Sequence, residues 1–428
     1  VRRIEATDVS HDANSYQMVS CNQQKPQSRQ RKGARAGIDE DVPRMLSFWA
    51  KFIASPTRLT TNRQGRAGRL LRIIRVVSES MIQVSTATNA NSESNFVAAT
   101  NWNELAERVL AGYAITEAEA LSIVRAPDEQ LLDILSAAYK IRHKHFGKTV
   151  QLHYLMSAKS GLCPEDCSYC SQSKVSEAEI PKYNFLSRDE ILEGARQAFE
   201  RNSKTYCMVI SARGPNEREM AAVEALVPEI KAKYDLKICA CLGLLDQNQA
   251  DRLKACGVDR VNHNVNTSPE HYKEICTTHT YQDRLDTLQA VQNAGIELCS
   301  GGIIGMGEQD IDVVRMAFQL RAVGVESIPL NFLIPIEGTP LSGNQDLNPR
   351  YCLKTLAMFR FVNPDRELRI AGGREIHLGS MQCLGLYPAN SIFVGDYLTT
   401  EGQAAEADYK MIEEMGFVVT KNEECMVG

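Results

Sequence analysis

At 428 residues, with 43% hydrophobic and 24% charged side chains, the chain has the composition of a soluble globular protein and the length of one large α/β domain or two average ones. No apolar run reaches membrane-spanning length, so a helical membrane protein is excluded. Thirteen cysteines with no signal peptide ahead of them point to a reducing compartment in which thiols are kept for metal, while a net charge of -5 says little about partners.

The charge is unevenly spread. Residues 1 to 80 carry 15 Lys and Arg against 7 Asp and Glu, or +8, which leaves -13 on the remainder. Polar stretches such as SCNQQKPQSRQRKGARAG and STATNANSESN have no core pattern, so residues 1 to 95 are expected to form a disordered basic and polar extension. Within it, RLLRIIRVV (69 to 77) has the pattern of a short basic amphipathic helix. The arginine excess suggests a transit peptide, which would make the protein mitochondrial in a eukaryote, but Asp39, Glu40 and Asp41 weigh against that and favour a cytoplasmic protein. A nucleic-acid arm lacks aromatic interleaving or a motif. The chain begins at Val1 and Met81 stands just ahead of the first helical pattern, so a start placed too far upstream is a further reading of this segment.

From Asn101 the pattern changes. WNELAERVLAG, ITEAEALSIV and DEQLLDILSAAYKIRHKHFG space apolar residues as two or three short helices. Eight β-prone runs follow: LHYLMSA (152 to 158), TYCMVIS (205 to 211), LKICACL (236 to 242), RVNHNV (260 to 265), ELCSGGI (297 to 303), SIPLNFL (327 to 333), ELRIAGG (367 to 373) and SIFVG (391 to 395). Between them, Ser187 with Glu190 makes a capping box, Ser268-Pro269 and Asn348-Pro349 read as N-cap and N1 pairs, and Gly257, Gly295 and Gly324 stop helices just before strands. Strand and helix alternating in units of roughly 30 to 40 residues imply a parallel sheet, and eight units imply a (β/α)8 TIM-type barrel over residues 96 to 422, with a tail over 423 to 428. A doubly wound open sheet is the alternative.

Chemistry concentrates after the first strand, in GLCPEDCSYCSQS. Cys163, Cys167 and Cys170 form a CxxxCxxC triplet, with Tyr169 just before the last cysteine. Three thiolates on a short loop suit a four-iron cluster with one iron left open, and no fourth Cys or His follows in the paired spacing of a structural zinc site. Buried, inert cysteines are the plain alternative. Cys207, Cys239 and Cys299 stand in three separate strands and converge if all point into a barrel, although free cysteine also behaves as a small buried hydrophobe. Cys239 and Cys241 share one pleat face, so spacing does not choose between them. RVNHNVN offers Asn262, Asn264 and Asn266 as a row of amides suited to a polar, uncharged ligand, with strand-end capping as the alternative. The eight histidines show no HxxxH or HExxH spacing, so hydrolytic zinc chemistry has no support. GGIIGMGE (301 to 308) is not the dinucleotide fingerprint.

The triplet, placed after the first strand of a barrel, resembles that of the radical S-adenosylmethionine enzymes. From about Leu152 to Val418 the chain is similar to the biotin synthase family within that superfamily, in SGLCPEDCSYC, NHNVNTS, TYQDRLDTL, CSGGIIGMGE, GTPL, AGGRE and ANSIF. The resemblance implies a [4Fe-4S] cluster on Cys163, Cys167 and Cys170, and a [2Fe-2S] cluster on Cys207, Cys239, Cys299 and Arg369. It implies S-adenosyl-L-methionine against Tyr169, Asn264, Asn266, Arg284 and Ile303, and dethiobiotin against Asn262, Asn264 and Asn331. Asn266 stands where many members have an aspartate, a weaker acceptor for a ribose hydroxyl. The implied reaction is radical sulfur insertion that makes biotin, with a flavodoxin or ferredoxin-type electron donor and a homodimeric enzyme. The same superfamily contains hydrogenase-maturation and methylornithine-synthase type barrels, which are the rival enzymes; a noncatalytic Fe-S carrier is the rival of another class.

Overall fold

The structure, a computed structural model, describes residues 101 to 420. The expectations for residues 1 to 95 and 423 to 428 lie outside the described residues.

Three helices lead in: α1 (Trp102–Leu110), α2 (Glu117–Val124) and α3 (Leu131–Phe146). Thr116 and Glu119 form a capping box on α2, and Ala120, Ile123 and Val124 carry its buried side. The strands are β1 (Thr149–Lys159), β2 (Ser203–Ile210), β3 (Lys237–Cys241), β4 (Arg260–Asn262), β5 (Glu297–Cys299), β6 (Gly302–Ile304), β7 (Ser327–Phe332), β8 (Glu367–Ile370) and β9 (Ser391–Phe393). They pair in parallel in the order β1-β2-β3-β4-β5-β7-β8-β9, and β9 pairs back onto β1, which closes the barrel. A two-residue strand, β10 (Val418–Val419), adds to β1 near its start.

The connecting helices are α4 (Arg188–Glu200), α5 (Glu217–Lys233), α6 (Gln247–Ala255), the short α7 (Tyr272–Ile275), α8 (Tyr281–Asn293), α9 (Asp310–Val323), α10 (Pro349–Val362), α11 (Arg374–Leu378) and α12 (Ala405–Glu414). Their ends follow the sequence signals: Ser187 and Glu190 cap α4, and Asn348 with Pro349 starts α10. The Ser268-Pro269 pair does not start a helix. Ser268 Oγ accepts from the His271 N–H (3.1 Å) and donates to Asp312 Oδ1 (2.7 Å), closing a turn one step before α7. Among the described residues no helix is long and apolar enough to cross a membrane.

Several strands are shorter than the runs the sequence marks, and two of them stop at identifiable backbone features. The fifth stave breaks into β5 and β6 at Ser300-Gly301, because the backbone of Gly301 lies against β7: a Cβ there would sit 1.9 Å from the Pro329 carbonyl oxygen. Gly301→Ala must therefore push two staves apart, and is expected to cost about 1–3 kcal/mol or more, read as a lowered melting temperature of the apoprotein. The fourth strand ends at Asn262 and not Val265, because Asn266 turns into the left-handed region (φ 71°), which short amides tolerate better than most residues. The three asparagines therefore do not stand in one extended row.

Alternation along the staves stacks inward side chains in layers. Leu155, Cys207, Pro329, Arg369 and Phe393 line a cavity of about 170 Å³ inside the barrel. Two residues before several of these, toward the strand N-termini, lie His153, Thr205, Ser327, Glu367 and Ser391, all buried. The Cys163 loop crosses the opposite, C-terminal mouth.

Candidate active site

The CxxxCxxC loop leaves β1 through Gly161 and Leu162, both with positive φ (66° and 57°). Short contacts within it, Cys170 N–H to the Cys167 carbonyl (3.2 Å) and Ser173 N–H to the Cys170 carbonyl (3.1 Å), fold the triplet back on itself. Its two acidic residues staple it to residues 276 to 279. Glu165 accepts from Thr278 Oγ1 (2.5 Å) and Arg213 Nη1 (3.1 Å), and pairs with His279. Asp166 accepts from the N–H groups of Thr277 (2.9 Å) and Thr278 (3.1 Å). Burial alone would raise the Asp166 carboxyl, but these bonds and that from the Thr277 hydroxyl hold it well below the usual range.

Cys167 is buried and Cys163 and Cys170 are half-buried. All three line a cavity of about 300 Å³ with Tyr169, Asn262, Asn264, Asn266, Arg284, Ile303 and Asn331. Burial pushes the Cys170 thiol up to about 11 and raises that of Cys163, so without a cation at the loop these thiols keep their protons.

Two residues absent from the sequence-based candidates join this site. Cys276 Sγ lies 3.8 Å from Cys167 Sγ and 3.3 Å from His279 Nδ1. Contact between the two sulfurs, with burial, keeps the proton on Cys167, so the pair carries at most one negative charge. The CTTH segment has a CxxH spacing that marks ligating residues, but only folding brings it to the loop.

Arg284 is not a surface residue: it is buried on α8. It donates to the Asn264 carbonyl (2.8 Å), bonds His279 Nε2 (2.8 Å) and reaches the Tyr272 hydroxyl. All three partners are neutral oxygen or imidazole groups, so a buried cation faces the cavity without a carboxylate among these bonds. Asn266 Nδ2 donates to the Tyr169 hydroxyl (2.6 Å). Asn264 Oδ1 accepts from Asn262 Nδ2 (3.0 Å) and from the Gly301 N–H (3.1 Å). Asn331 donates to the Gly302 carbonyl (3.2 Å) and accepts from the Gly372 N–H (3.0 Å). Glu308 accepts from the N–H groups of Gly305 and Met306 (both 2.7 Å), holding the GGIIGMGE turn shut beside Ile303.

Deeper in the barrel, Cys207 and Cys239 are register partners on β2 and β3, and the Cys239 thiol is in hydrogen-bonding contact with both Cys207 and Cys299. The Cys207 contact and burial raise the Cys239 thiol well above the usual range against an opposing effect of the Cys299 contact, and the Cys239 contact with burial raises the Cys299 thiol likewise. Cys241 stands one layer nearer the mouth and donates to Asn262 Oδ1 (3.2 Å), apart from the other three. Arg369, only 1% exposed, points Nη1 at Cys299 Sγ (3.9 Å), and its Nε has no hydrogen-bond partner. Three crowded thiols with a guanidinium nitrogen facing them form a donor set that fits a metal cluster.

Comparison with known proteins shows the family. Residues 159–320 match the Radical SAM superfamily and residues 329–418 match the Biotin and Thiamin Synthesis associated domain. A biotin synthase of Rhodopirellula baltica is 62% identical over 343 residues, 80% of this chain and 96% of the relative. The chain belongs to the biotin synthase family. A second member of the family, from Lysinibacillus sphaericus, is 56% identical over 319 residues, 74% of this chain and 96% of the relative. A methylornithine synthase crystal structure superposes with a TM-score of 0.66 over 74% of this chain and 97% of its own, at 20% identity, and so shares the barrel fold alone. Among the superfamily rivals named by the sequence, fold likeness does not discriminate, whereas identity to biotin synthases does. The chain is accordingly a radical S-adenosylmethionine enzyme, and membership of this family implies iron–sulfur clusters and S-adenosylmethionine.

Proposed function

We propose that this chain converts dethiobiotin to biotin by radical sulfur insertion, within a single barrel domain spanning residues 96 to 422. One observation carries the reading: Asn262, Asn264 and Asn331 line both the cavity open to the cysteine loop and the cavity open to Cys207 and Arg369. A substrate held by those amides would lie between two sulfur-rich donor sets.

In this reading Cys163, Cys167 and Cys170 hold a [4Fe-4S] cluster, and Cys207, Cys239, Cys299 and Arg369 hold a [2Fe-2S] cluster. When bound, the clusters and S-adenosylmethionine supply an electron, a hydrogen-abstracting radical and the inserted sulfur. The protein's residues do the rest. Arg284, a buried cation with neutral partners, meets a ligand carboxylate. Tyr169, Asn264, Asn266 and Ile303 line the place for the rest of S-adenosylmethionine. Asn262, Asn264 and Asn331, each donor and acceptor at once, hold an uncharged ureido ring. Leu155 and Phe393 give the substrate's hydrocarbon carbons a dry wall, which keeps water from the reacting centre.

The proposal includes a flavodoxin or ferredoxin-type electron donor, a homodimer, a cytoplasmic location and no nucleic-acid or membrane partner. If the basic extension is a transit peptide, the location becomes mitochondrial.

The test is anaerobic purification, reconstitution with iron and sulfide, and incubation with reductant, S-adenosylmethionine and dethiobiotin. Both 5'-deoxyadenosine and biotin are expected. Without 5'-deoxyadenosine the radical reading fails; 5'-deoxyadenosine without biotin would return the chain to its superfamily rivals.

A further inference from the structure

Below the three strand cysteines, the barrel floor holds a charge cluster that no part of the family reaction uses. Glu367, 6% exposed, lies one inward position below Arg369 on β8. Its Oε2 accepts from Arg260 Nη1 on β4 (2.9 Å). Its Oε1 accepts from Arg369 Nη2, from Ser327 Oγ on β7 (3.1 Å) and from Ser391 Oγ on β9 (3.1 Å), and lies 2.8 Å from His153 Nε2 on β1. One carboxylate thus ties together four staves besides its own.

The division of labour within Arg369 is the informative part. Nη2 is fully engaged from below, by Glu367 and by Ser327 Oγ (2.8 Å). Nη1 is left facing Cys299. Of the two terminal nitrogens only Nη1 is free to meet a metal, and the side chain cannot rotate it away without breaking the bonds at Nη2. A long, flexible arginine is in this way held as a rigid donor.

We propose that Glu367 is the positioning residue that presents Arg369 Nη1 to the auxiliary cluster, and that Arg260 offsets its charge without sharing that task. This rests on the reading of Cys207, Cys239, Cys299 and Arg369 as a ligand set. When Nη1 binds iron, the guanidinium gives up one proton, which passes to water, as expected for ligation by a protonated donor. Arg260 also pairs with Glu297 Oε2 (2.9 Å), so it keeps a carboxylate partner whatever happens at Glu367.

Removing Glu367 alone leaves two buried guanidinium groups with one half-exposed carboxylate between them, a change that endangers the fold itself. The test therefore uses the charge-balanced pair Arg260→Gln/Glu367→Gln, with Arg260→Gln and Glu367→Asp as companions. Each full-length protein is reconstituted anaerobically with iron and sulfide, then titrated with an iron chelator while the absorbance of each cluster type is followed. Arg260→Gln, which keeps the Glu367 to Arg369 bonds, is expected to hold the auxiliary cluster as wild type does. The double variant and Glu367→Asp, whose carboxylate is drawn back by one methylene, are expected to lose it about 10- to 100-fold more readily while the loop cluster is unchanged. Equal chelator resistance in wild type and the double variant overturns the proposal and leaves the ligand set standing. A wild-type protein that takes up only the loop cluster overturns both.

Discussion

Replacing Cys163, Cys167 or Cys170 by alanine is expected to abolish S-adenosylmethionine cleavage, so that reconstituted protein releases no 5'-deoxyadenosine above the blank. The expectation follows from valence and not from packing. A cluster held by three thiolates has no spare ligand, and an alanine leaves a second iron without a donor. Cys163 and Cys170 are only half-buried, so their loss should change stability by no more than about 1 kcal/mol, and the melting temperature of the apoprotein serves as the control. Iron content decides the ligand set. Full uptake in Cys163→Ala together with loss in Cys276→Ala would move the metal to the neighbouring group of Cys167, Cys276 and His279, whose donor atoms all lie within 4.8 Å of one another.

Cys299→Ala should separate the two halves of the reaction. Cys299 is fully buried inside the barrel, in contact with Cys239 and 3.9 Å from Arg369 Nη1, and it is not among the residues lining the cavity at the cysteine loop. The variant is expected to cleave S-adenosylmethionine, with 5'-deoxyadenosine still formed, and to make no biotin in a single turnover. The lost Sγ opens only a small void, so a stability change of about 1 kcal/mol is expected. Biotin formed at the wild-type yield would remove the strand cysteines from the sulfur-donating role, and only the loop site would then remain of the proposal.

The eight-stave barrel was legible because each unit repeats the same local signals. An apolar run of strand length, a capped helix and a glycine stop recur in order, and each is a property of a few neighbouring residues. The capping box at Ser187 and the Asn348-Pro349 start behave as such local signals should. The misreadings have a common cause. Strand five breaks because Gly301 meets the Pro329 carbonyl of another stave, and strand four stops at Asn262 because Asn266 adopts a left-handed conformation where its backbone bridges Gly302. Gly301 can mark a close backbone approach, but the residues nearby name neither of the staves that these contacts meet.

The loop site shows the same division. The triplet is visible as a spacing because its three thiols lie within eight residues. Cys276 and His279 reach it only because Glu165 and Asp166 pull their segment across the barrel mouth from more than 100 positions away. Arg284 on its helix has the spacing of any surface residue, and its burial comes from the turn that sets Tyr272 and Asn264 around it.

The sequence by itself determined which residues within a strand share a face, since side chains alternate with a period of two, and it determined the loop triplet and the family likeness. Depth along the barrel axis was decided by tertiary structure alone. Cys239 and Cys241 share a face, and only the register of β3 against β2, which pairs Cys239 with Cys207 and Cys241 with Val209, separates the cysteine that joins the other two from the one that does not. Stagger between staves is a property of the closed sheet, and no single strand contains it.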